Sequence, residues 1–233
     1  MTQPADHAHR TITVSGADAA EFLQGQLSSD IEALVAGEPP VLSAWCNPKG
    51  RVIALFRLRL ESDAYRLGLP AEIADAVVKR LTLFRFRSKV DLAAEDAMPA
   101  DLGLAPGEST AAWRRRQFEA GIADIREQQS EEFTPHMLNL DLLGAISFDK
   151  GCYTGQEIVA RTHYRGATRR RLLRYGFTGT AAPGDKLMLG DRPVGDVVNV
   201  LDAELLAVAP LDDADAGLTV NDGTLVKKDL PCF

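Results

Sequence analysis

From Thr168 onward the chain breaks into short β-forming runs, RRLLRYGF, KLMLG, PVGDVVNVL, ELLAVAP and TLVKK, separated by Gly, Pro and Asp turn signals. Many short strands at this spacing fold as a small barrel or sandwich, and we read residues 168–233 as a small C-terminal β-barrel domain. The chain has 233 residues, 45% of them hydrophobic, which leaves room for a larger body ahead of that domain.

The body has a different grammar. TITVS (11–15) alternates with period two and is broken by Gly16, after which Ala19, Phe22, Leu23, Gln26 and Leu27 recur at helical spacing behind a candidate N-cap, Asp18. VLSAWC and RVIALFRLRL flank the turn Asn47-Pro48-Lys49-Gly50 and read as a hairpin. Val52, Ala54, Phe56, Leu58 and Leu60 share one face of it, and Arg51, Arg57 and Arg59 the other. AYRLGL is a further strand; Pro70 opens a helix striped by Ile73, Val77, Val78, Leu81 and Phe84, and SKVDL closes the unit as a strand. This order predicts an α+β body with a ferredoxin-like split βαβ, one sheet face covered by both helices. Residues 92–110 lack any period and read as a connection, with a linker near 93–110 inside a body spanning 1–167. TAAWRRRQFEAG then reads as a helix capped by Ser109 or Thr110 and stopped by Gly121.

The formal charge of −7 and a pI near 5.2 argue against general coating of nucleic acid or membrane, so any anion site is local. Cys46, Cys152 and Cys232 form no CxxC and total an odd number, which suggests neither a disulfide framework nor a metal site. Neither a signal-like apolar core at the N terminus nor an 18-residue apolar run is present, and we expect a soluble cytoplasmic protein without a membrane partner.

Chemistry concentrates in DKGCYTGQEIVAR (149–161). Gly151 and Gly155 bracket Cys152, and Thr154 or Gly155 precedes a helix. A cysteine near the positive end of a helix, with Lys150 beside it in sequence, is placed to favour its thiolate. The other reading is a buried cysteine acting as a small apolar filler. Composition and spacing leave both open.

The stretch FTPHMLNLDLLGAISFDKGCYTGQEIVARTHYRGATRRRLLRY resembles the signature region of the YgfZ-type folate-binding proteins, relatives of the glycine-cleavage T-protein. VSGADAAEFLQGQLSSDI, CNPKGRVIALFRLRL and FRFRSKVDL are similar to the same family, so the likeness spans most of residues 11–175. It implies domains arranged around a folate-binding hole, with tetrahydrofolate or another reduced folate as cofactor. It also implies a reactive motif cysteine, Cys152, assisted by Lys150, and a role with iron–sulfur client or assembly proteins, linked in bacteria to tRNA modification.

For the pterin's donor edge, a carboxylate is the natural complement. Glu119, in FEAG, is the candidate by similarity to the Glu-Ala-Gly segment of the T-protein relatives, with a solvated glutamate at a helix end as the alternative. Trp113 is a stacking candidate or a core residue, and its family partner aromatic is replaced by His9. Tyr153, Gln156 and Glu157 are candidate cavity residues, although Glu157 also suits the first helical turn for structural reasons. Arg161 opens a run with Arg165, Arg169, Arg170, Arg171 and Arg174, read as a solvated face or as an anion track for a folate tail or RNA phosphates, with RNA secondary.

Two departures matter. The 92–110 segment is shorter than in the fuller relatives, and the T-protein's catalytic aspartate after Asn-Ala has no counterpart in LGLPAEIADAVVKR, so glycine-cleavage activity is not expected. The leading expectation is a folate-binding accessory protein for iron–sulfur cluster assembly or repair. A folate-dependent one-carbon transferase and an RNA or protein interaction module are the alternatives.

Overall fold

The computed structural model describes residues 8–232. The body opens with β1 (His9–Ser15), α1 (Ala19–Gln24), β2 (Val41–Cys46), β3 (Val52–Glu61), β4 (Ala64–Pro70), α2 (Ala71–Leu83) and β5 (Asp91–Asp96). Its sheet has the order β2-β3-β4-β1-β5, and every neighbouring pair is antiparallel. The β4–α2–β5 segment is the expected split βαβ, since β4 and β5 run alike with β1 inserted between them. The first half departs from ferredoxin: after α1 the chain reverses through residues 25–40, so β2 runs opposite to β1.

One sheet face carries Ile12, Val14, Phe56, Leu58 and Leu67, and it is covered by Phe22 and Leu23 of α1 and by Ile73, Val77 and Leu81 of α2. The opposite face is unusual, because Arg57, Arg59 and Arg66 are buried there. They lie beneath α3 (Pro99–Leu102) and α4 (Thr110–Glu119). Asp101 of α3 is fully buried and accepts from Arg59 Nε at 3.1 Å, Arg66 Nη2 at 2.9 Å and Thr11 Oγ1 at 2.9 Å. The residues 92–110 are therefore not a plain connection. β5 starts at Asp91, three residues into SKVDL, and runs through Asp96, four residues past its end, and α3 follows. β5 is an acid-rich edge strand in which Leu92 and Ala94 rest against the core while Asp91, Ala93 and Glu95 are exposed, and one leucine with two alanines makes that alternation faint in the sequence. α1 ends at Gln24, short of Gln26 and Leu27, and the Asp18 carboxylate binds the Lys89 backbone N–H rather than capping the helix.

The barrel is closed in the order β10-β11-β6-β9-β8-β7, from β6 (Arg170–Phe177), β7 (Lys186–Leu189), β8 (Arg192–Leu201), β9 (Glu204–Pro210), β10 (Thr219–Val220) and β11 (Gly223–Lys228). Leu173, Tyr175, Leu205 and Ala207 fill its interior. Leu172, Leu206 and Val208 point the other way, into a core shared with Leu55, Ile125, Phe133 and Leu140 of the body. β9 is buried on both faces, which is why ELLAVAP reads as an unbroken apolar run. Leu230 and Cys232, beyond the barrel, pack back into the same shared core.

Candidate functional site

Two regions carry the expected site residues. The first is a cleft of about 320 Å³ between α4, the segment after it and strand β8. Ser109 caps α4, its Oγ accepting from the Ala112 backbone N–H at 3.2 Å, and this sets the register that brings Trp113 inward. Trp113 is completely buried; its Nε1 donates to the Leu102 carbonyl at 2.9 Å, and the residue borders the cleft from beneath its surface. His9, the first residue of β1, stands edge-on to that ring at 5.0 Å, and the Arg57 guanidinium lies 5.3 Å from its centroid.

Next to Trp113 the cleft wall holds Asp124, whose Oδ1 accepts from Arg57 Nη1 at 3.1 Å and lies 3.4 Å from His9 Nε2. Burial would raise its carboxyl, but its interactions with His9, Arg57 and Arg126 overcome that and hold it far below the usual carboxylate range. Asp124 is thus an anion at neutral pH. The Asn199 side chain of β8 brackets it, donating to its carbonyl and accepting from its N–H, both at 2.9 Å. Gln129 lines the same cleft and is buried, with its Oε1 lacking a hydrogen-bond partner among the described residues. A second cleft of about 410 Å³, holding Arg51, Arg170 and Lys186, shares Gln128 and Gln129 with the first.

The second region is the motif segment leading into α5 (Gln156–Arg165). Asn47 makes the β2–β3 turn, its Oδ1 accepting from the N–H groups of Lys49 and Arg51 at 2.9 and 3.0 Å. Gly155, the α5 N-cap, sits on this turn at φ 84°; a Cβ there would lie 2.5 Å from the Asn47 carbonyl oxygen. Gly50, at φ 68°, meets Ile158 in the same way, at 2.9 Å. The CNPKG turn and the start of α5 are therefore locked together, Gly155 against backbone and Gly50 against the Ile158 side chain.

Cys152 is exposed. Lys150 is not paired with it. The lysine is buried, and its ammonium donates to the carbonyls of Gln24, Leu27 and Ser29 at 2.7, 2.7 and 2.8 Å, filling all three donors. Burial pulls its pKa down to about 8, which still leaves it largely charged at neutral pH. Tyr153 is buried under that ammonium, 5.3 Å from ring to nitrogen, and burial followed by the neighbouring Cys46 pushes its phenol up. Gln156 Oε1 accepts from the Tyr153 N–H at 3.3 Å, a local cap. Glu157 and Arg161 are exposed on α5.

Glu119 ends α4 outside the cleft, half exposed, 4.0 Å from Arg115 and 3.7 Å from Arg174. The structure thus brings Trp113 to a cleft with Asp124 and His9, and groups Cys152, Glu157 and Arg161 around α5. None of residues 150–161 lines the cleft. Asp124 escaped the sequence reading because GIADIRE offers neither a motif nor a charge cluster. The one available signal was a lone acid among Ile122, Ala123 and Ile125.

The arginine run divides. Arg170 pairs with Asp196, Arg171 makes a two-pronged contact with Asp141 at 2.9 and 2.8 Å, and Arg174 binds Glu204. Arg161, Arg165 and Arg169 are exposed. Among the described residues no group of three or more His, Cys, Asp or Glu is placed to hold a metal ion.

No protein-family model matches the chain. An uncharacterized protein of Haemophilus influenzae is 33% identical to it, over 70% of this chain and 69% of that protein. A tRNA-modifying protein YgfZ of Yersinia pseudotuberculosis is 29% identical over 94% of this chain and 89% of its own length. That alignment runs to 296 positions, more than this chain's 233 residues, so the relative carries segments absent here. The YgfZ protein of an Enterobacter strain is also 29% identical, over 69% of this chain and 67% of its own. Among solved structures, the aminomethyltransferase T of the glycine cleavage system from Bartonella henselae superposes with a TM-score of 0.73 over 98% of this chain and 88% of that one, at 15% identity, which establishes a common fold. On this evidence the chain is a homologue of the proteins named YgfZ, and it shares the fold of the glycine-cleavage T-protein.

Proposed function

We propose that this protein binds a reduced folate, such as tetrahydrofolate, in the Trp113 cleft and serves as an accessory factor to iron–sulfur enzymes, including those of tRNA modification, with Cys152 as its reactive thiol. The observation that carries the reading is the ionised, partly exposed Asp124 carboxylate on the cleft wall, backed by the buried Trp113. A pterin's paired N–H edge is complemented by the partly exposed Asp124 carboxylate, while Trp113 backs the wall behind it. The cleft volume falls in the usual range for small-molecule sites, and the unpartnered Gln129 oxygen is a further acceptor for the ligand. The YgfZ relatives support the tRNA connection by name. Asp124 is favoured over Glu119 as the pterin's acceptor, because Glu119 lies outside the cleft and faces two arginines.

The test is calorimetric titration of tetrahydrofolate into the wild type, Asp124→Asn, Glu119→Gln and Cys152→Ala. We expect Asp124→Asn to weaken binding at least about tenfold, the order of a lost charge-assisted hydrogen bond, and Glu119→Gln and Cys152→Ala to stay within about threefold. Absence of folate binding by the wild type removes the reading. Consumption of the folate with a purified acceptor would move it to one-carbon transfer.

A further inference from the structure

We infer that the outer face of α5 is a contact surface for single-stranded RNA, which stacks a base on Tyr164 and lays its phosphates along Arg161, Arg165 and Arg169. This deepens the reading above and rests on it for the connection to RNA, but it uses a surface distinct from the cleft. Arg161, Tyr164 and Arg165 are spaced i, i+3, i+4 on one helix and share a face. With Glu157 and Ala160 they line an open groove of about 400 Å³.

Three features make this more than a solvated helix face. In a chain of net charge −7, Arg161, Arg165 and Arg169 make no ion pair among the described residues, whereas Arg170, Arg171 and Arg174 all do. Arg161 and Arg165 therefore form a local cationic pair on α5, with Arg169 four residues further along the chain. Tyr164 is 67% exposed, yet its ring is braced edge-on by His163 at 4.9 Å and Phe148 at 6.1 Å, and those two stack on each other at 3.8 Å. A braced, exposed ring between two cations is the arrangement that single-stranded nucleic-acid sites use, where stacking adds to phosphate attraction. Arg161 and Arg165 are separated by about 6 Å along the axis, commensurate with successive phosphates of an extended strand.

The lining also argues against other occupants. Its apolar surface is limited to the Ala160 methyl and the Tyr164 ring, too little to anchor in a bilayer. A poly-γ-glutamate tail would satisfy the arginines but would leave the ring unused. Glu157, at the start of the groove, would repel a uniform anion but accepts from the amino edge of a base.

The test is fluorescence anisotropy of a fluorescein-labelled single-stranded 12-mer RNA with the full chain at several salt concentrations. The variants are Tyr164→Ala, Tyr164→Phe and the double variant Arg165→Gln/Arg169→Gln. Expected results are about tenfold weaker binding for Tyr164→Ala and about twofold or less for Tyr164→Phe, which keeps the ring. The arginine double variant should lower the salt slope by about 1.4, the value for two lost phosphate contacts on a single strand. Equal binding by Tyr164→Ala and the wild type, displacement by poly-γ-glutamate as effective as by unlabelled RNA, preference for anionic vesicles, or absence of RNA binding would each overturn the inference. Tetrahydrofolate titration of the same variants separates the two readings. Unchanged folate binding with lost RNA binding confirms a separate surface, and RNA binding without any folate binding would sink the cleft reading alone.

Discussion

At the scale of single residues, Lys150 and Cys152 have opposite fates although they are two positions apart. Lys150 is the clamp that fastens the motif segment to the turn after α1, through three backbone carbonyls. Lys150→Met would leave those carbonyls buried without a donor, and we expect a loss of about 2–4 kcal/mol, read from the urea midpoint. Cys152→Ser should change stability by less than about 0.5 kcal/mol, since the side chain is exposed. Cys152 and Cys46 should also separate chemically. Under native conditions iodoacetamide should label Cys152, while Cys46, buried with its thiol pushed up to about 12, reacts only after unfolding. Protection of Cys152 in the folded protein would contradict the proposed reactive role. The cysteine's exposure was not legible in the sequence, where a filler and a reactive thiol read alike.

At the scale of elements, the short α3 places one carboxylate over a sheet face carrying buried arginines. Asp101→Ala leaves Arg59 and Arg66 buried without their shared anion, a change expected to cost about 3–5 kcal/mol. Its pH dependence follows from the direction of its shift. Burial raises the Asp101 carboxyl, but the bonds from Arg66, the Met98 N–H, Thr11 and Arg59 together lower it below its ordinary value. A carboxyl lowered by folding stabilises above its unfolded pKa, about 3.9, and loses that contribution as pH falls through the lower folded value. Melting temperature should therefore drop below about pH 4, and the drop should be shallower in Asp101→Asn. The junction of the β2–β3 turn with α5 makes a second prediction. Gly155→Ala forces a Cβ against the Asn47 carbonyl at a left-handed backbone position, and we expect at least about 2 kcal/mol of destabilisation together with faster labelling of the adjacent Cys46.

At the scale of the whole molecule, body and barrel share one apolar core and are also joined by polar contacts. Asn199 sits at the β8 bulge and bonds both backbone groups of Asp124. Asn199→Ala should cost about 1–3 kcal/mol and weaken folate binding by releasing Asp124, measurable in one thermal-shift series with and without tetrahydrofolate. The strands, the principal helices and the division into an α+β body and a β-barrel were set by local pattern, since period-two and period-3.6 apolar spacing and turn residues act within about ten residues of chain. The β2–β3 turn and the α5 start were equally legible, because Asn, Pro and Gly dictate backbone angles locally. The partner of each charge was decided only by tertiary structure. Asp124 rather than Glu119 faces the cleft, Lys150 turns to backbone carbonyls rather than to Cys152, and half of the arginine run is neutralised while the other half is left open. Such assignments depend on which distant elements meet, and a burial or ion-pairing energy belongs to a pair of groups brought together by the fold rather than to either residue in the chain.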